Sequence, residues 1–288
     1  MKPSTIPLAL RLYRRYLQAP DHPSKLRVIR FLERKLIPSS GGIFTVAKSF
    51  RMYLHPRDES EYTLIRTGLY EPLTLSFLER NVKPGEKILL AGVNFGLHLM
   101  LCSRSVRESG CVIGVEPQPT SLRRTSQNIS LNNLPSNIKL VSGGLGRRRE
   151  IIPMAEAPSA NTGQASIVLR DVGSHPYYVQ VDSLPNLLDY LDIDHLDLML
   201  LDVEGYELPV LQGMLNGPKP SVLVLEIHPI VLRYIKTDPS AYYSAVHKLG
   251  YDCFNLYGET AKPGDELPEN NMIGVLPKAA KPYWLSRD

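Results

Sequence analysis

Cysteine is scarce, and disulfides do not organise this chain. Three cysteines occur in 288 residues, at positions 102, 111 and 253, and none stands two residues from another. The spacing of a zinc ribbon or a redox dithiol is therefore missing. An odd count without a secretory leader points to a reducing compartment, so a cytoplasmic location is expected. Long apolar runs are missing as well, since none reaches the roughly 18–20 residues of a membrane span. The first apolar stretch, Ile6 to Leu10, is interrupted by Pro7 and runs into Arg11, Arg14 and Arg15, which is not the pattern of a signal peptide. There is no internal repeat and no low-complexity tract. What is present is ordinary for a globular protein: 43 % hydrophobic and 22 % charged residues. The length allows two domains, or one large α/β domain with an accessory segment, and either can bury a core without metal or disulfide staples.

The formal charge of +4 is unevenly spread. Residues 1–35 hold nine basic residues against Asp21 and Glu33, a local +7 that leaves −3 for the rest. Such a leading segment suits a solvated helix face, a membrane surface, nucleic acid or an acidic partner. Leu10, Tyr13, Leu17, Leu26, Ile29, Leu32 and Leu36 follow helical spacing, and Pro20 and Pro23 divide the run into two helices. Residues 1–50 are expected to form a basic helical cap, and 51–288 the main domain.

After a helical stretch over 58–81, short apolar strands alternate with helices. KILLA (87–91), CVIGVE (111–116), NIKLVS (137–142), DLMLLD (197–202) and SVLVLEI (221–227) read as strands, with closing strands near 250–257 and 271–276. Helices are expected over 96–109, 119–133, from 203 to about 215, and over 239–249. This rhythm predicts a mostly parallel sheet covered on both faces. Residues 147–182 break it, and their apolar pieces suggest an inserted β-hairpin.

Candidate chemistry collects where the strands end. KILLA runs into Gly92-Val93-Asn94-Phe95-Gly96, a tight turn that lets a ligand approach backbone at a helix N-terminus. Glu116 closes the second strand, 24 residues after Gly92, near the distance at which an acidic residue binds ribose hydroxyls. Asn94 replaces the second glycine of a dinucleotide fingerprint, which favours a ligand with one nucleoside and no bridging phosphates. Asp202, Glu204 and Glu207 follow the fourth strand, and Glu226 and His228 the fifth. Carboxylates and an imidazole on neighbouring strand ends supply candidates for a general base.

These motifs resemble the FkbM family of S-adenosylmethionine-dependent methyltransferases over roughly residues 52–260. The marks are TGLYEP (67–72), the Gly92–Gly96 turn, VEP (115–117), NTG (161–163), LLDVEGYELPVLQG (200–213) and EIH (226–228). The resemblance implies a class I methyltransferase (Rossmann-like) fold, a seven-stranded sheet with one antiparallel strand near the edge. It also implies S-adenosylmethionine as cofactor and a hydroxyl of a sugar, glycan or secondary metabolite as acceptor. Carried over by position, Gly92, Asn94 and Gly96 would face the methionine part of the cofactor, Glu116 its ribose, and residues 142–145, starting with Ser142 and Gly143, its adenine. Tyr70 and Glu71 would cover it. Asp202 and Glu204 would flank the methyl group, with Asp202, Glu204 and His228 the catalytic candidates.

No metal site is assigned; a divalent ion, were one required, would use Asp202 and Glu204. The alternatives are an RNA-modifying enzyme with a basic arm and a domain that no longer turns over. Leu90 motivates the second, because the family normally has an acidic residue there. Nucleic acid is not the expected partner. Peripheral membrane contact through the basic segment and a homo-oligomer remain open to the sequence.

Overall fold

Proline divides the N-terminal region as the sequence predicts. The computed structural model describes residues 7–47, 49–155, 177–279 and 282–285, and begins with helices α1 (Leu8–Leu17) and α2 (Lys25–Leu36). Each buries one stripe, Leu10 and Tyr13 from α1 and Ile29 from α2. A ribbon of β1 (Gly42–Val46) and β2 (Phe50–Leu54) follows, so the expected helical cap of residues 1–50 ends in a strand pair that runs past position 50. The helical stretch expected over 58–81 is two helices, α3 (Glu59–Thr67) and α4 (Pro72–Asn81). Gly68, at φ +80°, closes α3, and Pro72 opens α4. Apolar periodicity continues across this break, which hides it from pattern reading.

The main sheet is built from β3 (Lys87–Ala91), α5 (Leu97–Val106), β4 (Cys111–Glu116), α6 (Pro119–Ser130) and β5 (Ile138–Ser142). The chain then leaves it for a small second sheet: β6 (Gly144–Leu145), β7 (Glu150–Met154) and β8 (Tyr177–Asp182). It returns through α7 (Leu184–Tyr190), β9 (Leu198–Leu201), α8 (Glu207–Gly213), β10 (Val222–Glu226), α9 (Pro229–Ile235), α10 (Pro239–Lys248), β11 (Asp252–Phe254) and β12 (Asn271–Val275). Helices α7 and α9 are too short for their periodicity to stand out in the sequence. The inserted hairpin is the antiparallel pair β7–β8, widened by β6 alongside β8. Its middle, including NTG at 161–163, lies outside the described residues.

Seven strands lie in the order β11-β12-β10-β9-β3-β4-β5. Strand β12 runs antiparallel to both neighbours, and the other pairings are parallel. This is the class I methyltransferase arrangement. Strand pleat sends Leu89, Ala91, Met199 and Leu201 into one core layer and Ile88, Leu90, Leu198 and Leu200 into the other. A third apolar cluster joins Leu10, Tyr13, Ile29 and the ribbon to Phe95, Leu97 and Met100 beside the first crossover. Strand order reverses between β3 and β9, and that switch point is where open α/β sheets receive ligands. Among the described residues, no helix is long and apolar enough to cross a membrane.

Candidate active site

Four parallel strands deliver their carboxyl ends to one place. Gly92 and Asp202 follow β3 and β9, Glu116 and Glu226 end β4 and β10, and all four line a cleft of about 500 Å³. Gly92 is required by geometry: it sits at φ +84°, and a Cβ there would lie 1.8 Å from the Asp202 carbonyl oxygen. Any side chain would force the ends of β3 and β9 apart. Gly96 has a different task. At φ +88° it opens α5, and its missing Cβ leaves room for Thr125 of α6, whose Cγ2 would be 2.8 Å away. Asn94, between them at φ +48°, faces the cleft.

Glu116 holds this turn. Its Oε2 accepts the amides of Val93 at 3.1 Å and Asn94 at 3.3 Å, and its Oε1 accepts the Gln118 amide at 2.9 Å. Burial pushes its pKa up to about 7, while the three amides pull the other way. The carboxylate thus fixes the shape of the loop, and it also forms part of the cleft wall.

Opposite stands a cluster of carboxyls. Burial raises Glu204 to about 9 and Glu71 to about 8, each with Asp202 as a repelling neighbour. Asp202 and Glu226 are hydrogen-bonded to each other, and burial raises both. Two adjoining carboxyls do not both ionise readily, so the charge of Asp202 adds to burial in raising Glu226. Asp202 Oδ1 is buried with no hydrogen-bond partner among the described residues. Glu71 and Glu204 both take left-handed backbone, φ +44° and +51°, a cost accepted where the chain must turn a side chain inward. Tyr70 packs edge-on against Phe95 with ring centroids 5.3 Å apart, and burial lifts its phenol far above the ordinary value. His98 Nε2 lies 3.4 Å from Glu71 Oε2, out of line for a hydrogen bond, and burial lowers the imidazole to about 4.

His228 caps α9: its Nδ1 accepts the Ile230 amide at 3.2 Å. With Nδ1 so engaged, a neutral ring carries its proton on Nε2, and the residue lines the cleft. Glu207 is the helix-start carboxylate that its position suggests, accepting from Val203 N, Gly205 N and the Tyr242 hydroxyl at 3.0–3.1 Å.

Of the positions singled out in the sequence, Tyr70, Glu71, Gly92, Asn94, Glu116, Asp202, Glu204 and His228 all meet at this cleft. Gly96, Ser142 and Gly143 do not line it; of the stretch 142–145, Gly144 and Leu145 do. The chain leaves the sheet after Ser142, so the wall is formed one step later. Leu90 points into the apolar layer beneath the sheet rather than to the cleft. Glu269, which no spacing marks, also lines the cleft. Its two oxygens accept the amides of Leu73 at 2.9 Å and Thr74 at 2.8 Å, and the Thr74 hydroxyl at 2.7 Å, capping α4 from the far end of the chain.

The wall carries seven carboxyl side chains and, among the described residues, no lysine or arginine. Among the described residues no three ligand side chains are grouped to hold a metal ion.

Comparison with known structures finds likenesses of fold at low identity. An rRNA methylase from Streptococcus thermophilus is 12 % identical, over 70 % of this chain and 92 % of that one, with a TM-score of 0.38. A SAM-dependent O-methyltransferase from Thermotoga maritima is 13 % identical, over 89 % and 83 %, at 0.41. Fibrillarin from Aeropyrum pernix with bound S-adenosyl-L-methionine is 15 % identical, over 70 % and 73 %, at 0.40. These values are too low to carry a substrate across. No curated protein sequence matches the chain. Residues 91–253, more than half of the sequence, match the Methyltransferase FkbM domain, and with the strand order and the glycine turn in place the chain belongs to the FkbM family of S-adenosylmethionine-dependent methyltransferases.

Proposed function

We propose that this methyltransferase methylates a hydroxyl of an uncharged acceptor, a sugar, glycan or secondary metabolite. The observation that carries the reading is the charge of the cleft: seven carboxyls and no lysine or arginine among the described wall residues. A phosphate backbone entering that wall would meet only like charge, so RNA is disfavoured as acceptor.

The same wall suits the cofactor. S-adenosylmethionine is cationic at its sulfonium and ammonium, and a buried, unpartnered Asp202 Oδ1 is an acceptor waiting for such a group. Glu116, Asn94 and Gly92 would hold the nucleoside and methionine parts, with Gly144 and Leu145 beside the base and Tyr70 and Glu71 above. When bound, the cofactor supplies an activated methyl group. The protein's part is to align an oxygen and receive its proton. Asp202, whose buried Oδ1 has no partner among the described residues, is the acceptor best placed for it. Glu204 is the second candidate. His228 presents Nε2–H and orients the acceptor oxygen.

The test is transfer of labelled methyl from S-adenosylmethionine to a panel of mono- and oligosaccharides and hydroxylated metabolites, with total RNA in parallel. Label in alkali-stable ether linkage on a hydroxyl compound supports the reading. Label in RNA alone contradicts it. Asp202→Asn should lower kcat at least about a hundredfold on a true acceptor, the scale of general-base catalysis.

A further inference from the structure

The two N-terminal helices turn one face to the body and leave another of opposite character outside. The inner face of α1 buries Leu10 and Tyr13, and that of α2 buries Lys25 and Ile29. The outer faces expose four large apolar side chains: Leu8 at 61 %, Leu12 at 57 %, Leu26 at 71 % and Phe31 at 60 %. Helical spacing interleaves them with Arg11 and Arg15 on α1 and with Arg27, Arg30, Arg34 and Lys35 on α2, all exposed.

Those six cations have no carboxylate partner among the described residues. Both acids of the segment are already engaged, Asp21 by Lys25 at 2.9 Å and Glu33 by the Tyr13 hydroxyl at 2.7 Å and Arg66 at 2.9 Å. Arg14 points inward, donating to the carbonyls of Ile65 and Thr45. The segment therefore assigns its acids to internal contacts and its unpaired cations, with leucine and phenylalanine among them, to the outside.

We propose that this face docks the enzyme on an anionic lipid surface, with Leu8, Leu12, Leu26 and Phe31 entering the interface and the six cations meeting headgroups. Charge complementarity selects this occupant. A second copy would bring six like charges against six, and a nucleic-acid surface gives exposed leucines nothing to enter. The docked face is one helix away from the cleft: Arg14 holds carbonyls at the end of α3, and Glu59, Ser60 and Thr63 of the same helix line the cleft. This inference does not depend on which acceptor is methylated.

The full-length protein is floated with vesicles of phosphatidylcholine alone and of phosphatidylcholine with phosphatidylglycerol. Binding to the mixed vesicles only, weakened by added salt, is expected. At roughly fivefold per cation, reversing two charges in an Arg27→Glu, Arg30→Glu variant should weaken partitioning at least about 25-fold. Leu12→Ser with Phe31→Ser should weaken it as well, while far-ultraviolet dichroism and affinity for S-adenosylhomocysteine stay unchanged. The proposal is overturned by no binding to either vesicle, by equal binding to both, or by variants that bind like the wild type. It is also overturned by salt-dependent RNA binding without vesicle binding, or by a dimer that Phe31→Ser dissolves in place of vesicle binding.

Discussion

Single residues in this cleft serve two masters, geometry and charge, and substitutions separate them. Gly92→Ala should cost about 2–4 kcal/mol, because it combines a left-handed backbone with a methyl pressed onto the Asp202 carbonyl. Urea unfolding measures this, and an unchanged midpoint would contradict the close approach of β3 and β9. Leu90 tells the opposite story. The family resemblance places an acid at this position, which would tighten the cofactor only if the carboxylate found a donor. Leu90 is buried in an apolar cluster with Leu200, Val224 and Phe77. Leu90→Asp should therefore destabilise the fold by roughly 2–5 kcal/mol, with no gain in affinity. Tighter binding of S-adenosylmethionine by a stable Leu90→Asp protein would refute that placement.

At the scale of elements, the cleft depends on contacts between distant parts of the chain. Helix α4 follows Glu71 directly, and its first amides are held by Glu269 across almost 200 residues. Glu269→Ala removes the acceptor of three hydrogen bonds and should lower stability by about 2 kcal/mol, loosening Glu71 with it. The check is the urea midpoint together with S-adenosylhomocysteine affinity; a fall in neither would show the cap to be dispensable. Pattern reading could not find this residue, since nothing local marks Glu269 as a partner of Thr74. The strands were legible because each is a short apolar run bounded by glycine, proline or charge, and Cys111–Glu116 is placed to the residue. The break at Gly68 and the strand β2 were not, because apolar spacing there fits a longer helix or a loop equally well. The cleft was legible through position: in a parallel sheet, residues that end consecutive strands must converge. What position could not supply is direction, as with Gly96, which faces α6, and His228, whose Nδ1 is spent on its own helix.

The molecule as a whole holds its carboxyls in reserve. Glu116, Glu71 and Glu204 have folded pKa values near 7, 8 and 9, above the ordinary 4.5. Groups raised in this way contribute stability fully below about pH 4.5 and lose it as pH rises through 7 to 9. The unliganded protein should therefore weaken from about pH 4.5 to pH 9, and Glu204→Gln should flatten that slope. Equal slopes for both proteins would contradict the burial of Glu204. A cationic cofactor reverses the balance by favouring the ionised forms, so binding should release protons at neutral pH, visible as heats that vary with the ionisation enthalpy of the buffer. The central claim is that the acidic cleft at the strand ends is the cofactor site, and calorimetry with S-adenosylmethionine and S-adenosylhomocysteine tests it most directly. The structure predicts saturable one-to-one binding of both to the wild type, and at least about tenfold weaker binding to a folded Glu116→Ala variant. No binding at millimolar cofactor, or undiminished binding to that variant, would contradict it.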